Sequence, residues 1–152
     1  MTDTSGKHIL VPVDFSDETE PILYVAWSTA EAFGDSVTVL HVVPAEPSPA
    51  DFDAGPQTVR DRAACDAKEA HEKARKFAEK LRGKGVTTRA LVVQGDVPAE
   101  IIKHASRDHP RLIVMGTHGH GALYNALMGS VSEAVLRQAP CPVLFVPHRR
   151  SP

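Results

Sequence analysis

Gly116-Thr117-His118-Gly119, then nine residues, then Gly129-Ser130 is the stretch of this chain whose residue types carry most chemistry, and it directly follows the apolar run Leu112-Ile113-Val114-Met115. A strand that empties into a glycine-rich turn and reaches a helix start can aim several backbone N–H groups at one point, which is a way to hold phosphate. Glycine removes the side chains that would keep phosphate oxygens from the peptide plane and opens the positive φ values that such loops use. The expected donors are the amides of Gly119, Gly129, Ser130 and Val131, with Ser132 next along the helix start. The alternative is a loop punctuated by glycines and a serine that merely caps a helix. The two overlap, because the amides at a capped helix start are also those an anion uses. The spacing matches neither the Walker A loop, which needs Gly-Lys-Ser/Thr, nor the G-x-G-x-x-G dinucleotide fingerprint.

Asp14 is the second candidate. It ends the run Ile9-Leu10-Val11-Pro12-Val13, where a carboxylate can accept from ribose hydroxyls or help hold a phosphate-bound Mg²⁺. It can equally make an Asx-type bond to the following amides ahead of Ser16. Pro12 breaks a rule, since a proline in a central strand forfeits a ladder hydrogen bond, and such breaks gather at functional sites. His118 and His120 form an H-x-H pair, but no Cys or third His stands at ligand spacing. His118 is therefore expected at phosphate or solvent, and no metal site is expected. His41 reads as a hydrogen-bonded core or edge residue, and His8, His71, His104, His109 and His148 fall where exposed polar residues belong.

These residues need a scaffold, and the pattern supplies one. Short apolar runs near 8–13, 36–43, 86–94, 111–115 and 142–146 alternate with helix-period segments near 17–33, 58–83, 97–107 and 129–138, the signature of βαβ units around a parallel sheet covered on both faces. In the second helix Val59, Ala63, Ala67, Ala70, Ala74, Phe77, Ala78 and Leu81 form one apolar stripe among charges, with Gly83 and Gly85 ending it. Ser16 is placed to cap the first helix, and Ser130 with Glu133 has capping-box spacing. Residues 44–57 hold four prolines and no periodicity, which predicts a flexible loop. In an open parallel sheet, ligands bind beyond the carboxyl ends of the strands where strand order reverses. Asp14 and Gly116 can face one such site if the first and fourth strands are neighbours, as in the order 3-2-1-4-5.

Composition narrows the rest. The 152 residues fit a single domain, 1–152. A net charge of −2 with basic and acidic residues interleaved gives no footprint for nucleic acid. No run approaches the roughly 18 apolar residues of a membrane span, and the first residues show no signal core, so a soluble cytoplasmic protein is expected. Cys65 and Cys141 form no C-x-x-C pair, which leaves a disulfide framework or zinc site unsupported.

The G-x-x-G-x9-G-S spacing resembles the nucleotide-binding signature of the ATP-binding branch of the universal stress protein family. Ile9-Leu10-Val11-Pro12-Val13-Asp14-Phe15-Ser16, Leu40-His41-Val42-Val43 and Cys141-Pro142-Val143-Leu144-Phe145-Val146-Pro147 extend the resemblance over nearly the whole chain in the expected order. It implies a Rossmann-like, doubly wound five-stranded sheet in the order 3-2-1-4-5. It also implies ATP, with Mg²⁺ on its phosphates, bound reversibly by a stress-response or signalling module. Asp14 and Gly116 would meet the ribose, and the Val42 main chain the adenine, with Pro12 and Val13 as walls; the Val42 side chain reads as sheet core. Family members dimerise through the last strand, which implies a homodimer across Val143, Leu144, Phe145 and Val146. Three alternatives stand beside this: a cyclic AMP or AMP binder, a weak ATPase, and a structural dimer module without ligand. No Lys or Arg stands in register near the loop to stabilise phosphoryl transfer, so any hydrolysis is expected to be slow.

Overall fold

A computed structural model describes residues 7–45, 56–118 and 128–148, with the backbone alone over 56–60. The elements run β1 (His8–Pro12), α1 (Thr19–Phe33), β2 (Ser36–Pro44), α2 (Pro56–Gly83), β3 (Thr88–Gly95), α3 (Val97–Asp108), β4 (Leu112–Gly116), α4 (Ser130–Gln138) and β5 (Val143–Val146). Every strand pairing is parallel, and the sheet order is β3-β2-β1-β4-β5. The doubly wound α/β class and the strand order expected from the sequence are those observed.

Two-residue alternation sorts the strand side chains into two cores. Ile9, Val11, Val37 and Val39 pack with Ile22, Leu23 and Ala26 of α1 and Leu81 of α2. Leu10, Leu40, Val42, Ile113 and Met115 pack on the opposite face with Ile101 and Ala105 of α3 and Val135 of α4. Burial on both faces is why the central strands read as unbroken apolar runs, and each such aliphatic side chain removed from water is worth about 1.5–3 kcal/mol. The stripe on α2 buries Ala70, Ala74, Ala78 and Leu81, with Phe77 partly covered.

Four local expectations are corrected. The first helix begins at Thr19, not near 17, and Ser16 is not its cap: the cap residue is Glu18, with no side-chain capping bond. The Ser16 hydroxyl accepts the Glu18 N–H at 3.4 Å and the Ser16 carbonyl accepts the Thr19 N–H at 3.0 Å, a separate turn that occupies these residues before the helix starts. Ser130 does not form a capping box. Gly129, extended at φ −73° and ψ 163°, takes the cap position, so Ser130 is the first helical residue. The third strand starts at Thr88, and Val86 instead sits buried in the turn that closes α2, its N–H on the Leu81 carbonyl at 3.2 Å. Finally, His104 is 5 % exposed, not a surface residue, because it shares the inward face of α3 with Ile101 and Ala105.

Pro12 stands where the ladder between β1 and β4 ends. The β1–β2 ladder runs on to Pro12 opposite Leu40, whereas the β1–β4 register holds only Ile9 with Leu112 and Leu10 with Ile113. The Val13 N–H donates to Leu40 O at 2.9 Å, so the preceding nitrogen, that of Pro12, faces β4 where that ladder has already stopped. The proline has no N–H to offer β4, and the pairing between the two strands ends just before it. It marks the place where β1 and β4 part at their carboxyl ends.

Candidate functional site

The parting of β1 and β4 is the reversal point of the sheet, the place where open α/β sheets bind ligands. On its β1 side, Asp14 Oδ1 accepts the Ser16 N–H at 3.0 Å, so the Asx turn is formed. Phe15 follows with φ +61°, a left-handed conformation that costs a residue with a side chain roughly 1–2 kcal/mol. Its ring stacks on His41 at 4.0 Å between centroids and on Phe77 of α2 at 6.0 Å, with Lys73 Nζ 5.9 Å from its centre. His41 Nδ1 lies 2.8 Å from the Val13 carbonyl. A carbonyl only accepts, so Nδ1 carries the proton. Burial holds the His41 pKa below its ordinary value, against the raising effects of that carbonyl and of Asp14 and with a smaller lowering one from Lys73.

On the β4 side, Gly116 ends the strand. A side chain there would meet Ile22 Cδ1 at 3.1 Å and the His118 carbonyl at 3.3 Å. Ser132, 4 % exposed, donates its hydroxyl to Gly116 O at 2.8 Å and pins the start of α4 to the end of β4. The Gly129 N–H, expected among the phosphate donors, donates instead to Thr117 O at 2.7 Å. This corrects its role from donor to the residue that sets the angle at which α4 begins. The first intrahelical bond is Glu133 N–H to Gly129 O at 3.0 Å, so the Ser130, Val131 and Ser132 amides have no acceptor within the helix. The cap residue, Gly129, has no side chain with which to close that end. The Thr117 hydroxyl and His118 Nδ1 are 3.0 Å apart. Gly119 and His120 lie outside the described residues, as does most of the loop predicted at 44–57.

The other crossover helix on this face starts differently. Asp96 caps α3, its Oδ2 accepting the Ala99 N–H at 3.1 Å, and Pro98 stands in the first turn where no N–H is missed. Between the two helix starts lies a cleft of about 480 Å³ lined by Pro44, Ala45, the β3–α3 turn from Gly95 to Pro98, Ser130 and Val131. Two helix dipoles therefore point their positive ends at one opening; at α3 the capping Asp96 answers that charge directly, whereas at α4 the cap residue is a glycine and the first-turn Glu133 pairs with Arg137 at 2.8 Å. The sequence reading missed the β3–α3 turn as part of this opening. Its signal was present in Gly95, which turns at φ +157° and where an added Cβ would lie 2.9 Å from Glu100 Cγ, so a side chain there is strained and must displace Glu100. Of the nominated wall residues, Val13 and Val42 put their side chains into opposite cores, which leaves Val42 its main chain to offer.

Known proteins share this fold. Residues 6–147 match the model of the universal stress protein family. A universal stress protein of Thermus aquaticus is 38 % identical over 146 residues, covering 92 % of this chain and 98 % of the relative. The solved structure of the hypothetical protein MJ0577 of Methanocaldococcus jannaschii superimposes with a TM-score of 0.84 at 28 % identity, over 95 % of this chain and 98 % of that one. A universal stress protein of Archaeoglobus fulgidus, solved in complex with dAMP, superimposes with a TM-score of 0.63 at 26 % identity, over 90 % and 94 %. With the reversed sheet, the glycine turn after β4 and the match along nearly its whole length, the chain belongs to the universal stress protein family.

Proposed function

We propose that this chain binds an adenine nucleotide, ATP with Mg²⁺ on its phosphates, reversibly, as a stress-response or signalling module working in the cytoplasm as one domain over 1–152. The observation that carries the reading is the start of α4, where the cap residue is a glycine with no side chain and Ser132 holds the helix against the end of β4, next to the point where the β1–β4 ladder ends. Amides without an intrahelical acceptor at a helix start suit phosphate oxygens. In this reading the Ser130, Val131 and Ser132 amides hold phosphate together with Gly119, and Asp14 and Gly116 meet the ribose. The Val42 main chain faces the adenine, beside Pro12 and Val13, and His118 lies toward the phosphates. The dAMP complex of the Archaeoglobus fulgidus relative supports the choice of an adenine nucleotide. When bound, Mg²⁺ would neutralise phosphate charge; the chain's own part is to bind and orient.

Thermal denaturation with ATP and Mg²⁺, with AMP, with cyclic AMP and without ligand tests this. A ligand at one hundred times its Kd adds about 2.7 kcal/mol, which for a domain of this size is roughly 5–10 °C. ATP should give the largest rise. A larger rise with cyclic AMP moves the assignment to a one-phosphate ligand, and no rise with any of the three removes it.

The partner we propose is a second copy. β5 is a sheet edge, and Leu144 at its centre is 41 % exposed, between the partly covered Val143 and Phe145. An apolar edge with unpaired backbone groups is commonly protected by pairing, and a short segment can do this about a two-fold axis. Val143, Leu144, Phe145 and Val146 then form the contact. Sedimentation at tens of micromolar should give a dimer for the native chain and a monomer for Leu144→Lys; a native chain that sediments as a monomer there excludes this interface.

A further inference from the structure

His41 grips both neighbours of Asp14. Its Nδ1–H bonds the Val13 carbonyl at 2.8 Å, which is the near side of the Val13–Asp14 peptide, and its ring face carries the Phe15 ring at 4.0 Å with only 26° between planes. Phe15 is held left-handed at φ +61°. Apart from His109 at the end of α3, it is the one non-glycine residue at positive φ among the described residues, and it sits at no helix end. Backbone strain of this kind persists where the surroundings over-determine it. Here the surroundings are His41 from β2 and Phe77 from α2, with Lys73 above the Phe15 ring. The Asp14 carboxylate is thus aimed from three directions: the peptide before it, the ring after it, and the Ser16 N–H that its Oδ1 accepts at 3.0 Å.

We infer that His41 is the positioning residue of the nucleotide site, acting through Asp14 and touching no ligand itself. The inference rests on the nucleotide reading above and adds a residue to it. A histidine that only filled the core would matter through its volume and its stacking. One that positions Asp14 matters through the Nδ1 donor, because that bond holds the carbonyl of the Val13–Asp14 peptide. Asparagine places an amide donor close to where histidine places Nδ1, while phenylalanine keeps the stacking ring and has no donor.

The test uses the full chain with two variants, His41→Asn and His41→Phe, and two measurements. In titrations with ATP and Mg²⁺, His41→Phe should lose at least tenfold in affinity, and His41→Asn should stay within about threefold of the native chain. In the ligand-free protein, amide hydrogen exchange at Ser16 should speed up in His41→Phe and remain near native in His41→Asn, since the Ser16 N–H is the reporter bonded to Asp14. If Ser16 exchange and ATP affinity follow the loss of the ring in His41→Asn and not the loss of the donor in His41→Phe, the inference is overturned. If the native chain binds no nucleotide, the nucleotide reading fails by itself. The exchange comparison then still decides whether His41 orders the Asp14 turn, and equal Ser16 exchange in all three proteins sinks it. A melting profile of each variant separates simple loss of fold from either result.

Discussion

The two ends of the one sheet are finished in opposite ways. At the amino ends, polar groups are closed on one another. Asp35, its side chain 2 % exposed, is forked by Arg111 through Nε and through Nη2 at 3.2 Å, and the Arg111 guanidinium in turn lies 4.7 Å from the Phe33 ring. The backbone there is tied by Ser36 N–H to Lys7 O at 3.1 Å, Arg111 N–H to His8 O at 2.9 Å and Val37 N–H to Thr87 O at 2.9 Å. At the carboxyl ends the ladder between β1 and β4 stops early, a cleft opens between two helix starts, Phe15 is held left-handed, and α4 begins at a glycine that has no side chain to cap it. One end spends its polar groups on stability. The other leaves the first amides of α4 without an acceptor inside the helix and with a glycine at the cap, which is what a site for an anion requires. The first consequence is that damage to the amino end should lower stability and spare ligand affinity, and the reverse should hold at the carboxyl end.

The largest effect is expected at the amino end. Asp35→Ala removes two charge-assisted hydrogen bonds from a buried position, and a hydrogen bond to a charged group is typically worth about 1.5–3 kcal/mol. A loss of about 2 kcal/mol lowers Tm by roughly 4–8 °C in a domain of this size. ATP affinity should stay within a factor of two. A variant that melts normally but binds nucleotide poorly would break the comparison at its root.

Next is Gly129→Val at the carboxyl end. Gly129 sits at φ −73° and ψ 163°, a conformation open to any residue, so valine brings no backbone strain. Its effect is therefore read as space and angle at the start of α4. Affinity for ATP should fall at least tenfold, about 1.4 kcal/mol, with the protein still folded and soluble. Equilibrium dialysis giving an unchanged Kd would remove the start of α4 from the ligand site.

The same contrast explains what the sequence made legible. The α/β class could be read from alternating periods and crossovers of helix length, and the sheet order from the resemblance to the universal stress proteins, with which two motifs facing one point agree. The stripe on α2 could be read for the same reason, since Ala70, Ala74, Ala78 and Leu81 repeat at helical steps. The carboxyl end was legible only as a set of residues. Which amide donates where depends on a single bond from Gly129 to Thr117, and no propensity encodes it. That bond made Ser130 a helix residue and not a cap, and withdrew Gly129 from the donors. The turn at Phe15 was hidden for a similar reason, since an aromatic residue gives no local sign of left-handed backbone; the partners that hold it come from β2 and α2. His104 was misplaced because histidine composition suggests surface, while its spacing from Ile101 and Ala105 puts it on the buried side of α3.

A smaller effect on the ligand side tests Asp14 itself. Asp14→Asn keeps an oxygen able to accept the Ser16 N–H, so the turn should survive and Tm should change little. The charge is lost, and with it the stronger part of any bond from a ribose hydroxyl. ATP affinity should drop about fivefold, roughly 1 kcal/mol. Should Tm fall while Kd holds, Asp14 belongs to the turn alone and the carboxyl end loses one of its two lips.

The smallest expected effect returns to the stable end and is read as a slope. His104 is buried near the end of α3 that runs back toward Arg111, with Arg107 Nη2 2.9 Å from its Nδ1, Asp108 and Glu100 each 3.9 Å from one of its ring nitrogens, and Lys103 and Arg89 further out. The guanidinium only donates, so Nδ1 accepts and the ring is neutral. Burial first, and then Arg107, hold its pKa below the ordinary histidine value, with Asp108 and Glu100 opposing. The unfolded chain therefore takes up a proton on this histidine at a higher pH than the folded protein does, so stability rises with pH across that interval. As pH falls below about 6.5, the ordinary value for histidine, the native fold should lose stability until the folded-state pKa is passed. His104→Gln, which keeps an acceptor for Arg107 but does not titrate, should show a shallower fall in Tm from pH 7 to pH 5, even if it melts lower throughout. Its relative ATP affinity should follow the native chain's across that range, because the group lies in α3 away from the cleft. Parallel Tm profiles for the two proteins would mean that His104 is not protonated differently on folding; a pH-dependent change in ATP affinity confined to the variant would mean that the two ends of the sheet are coupled through α3.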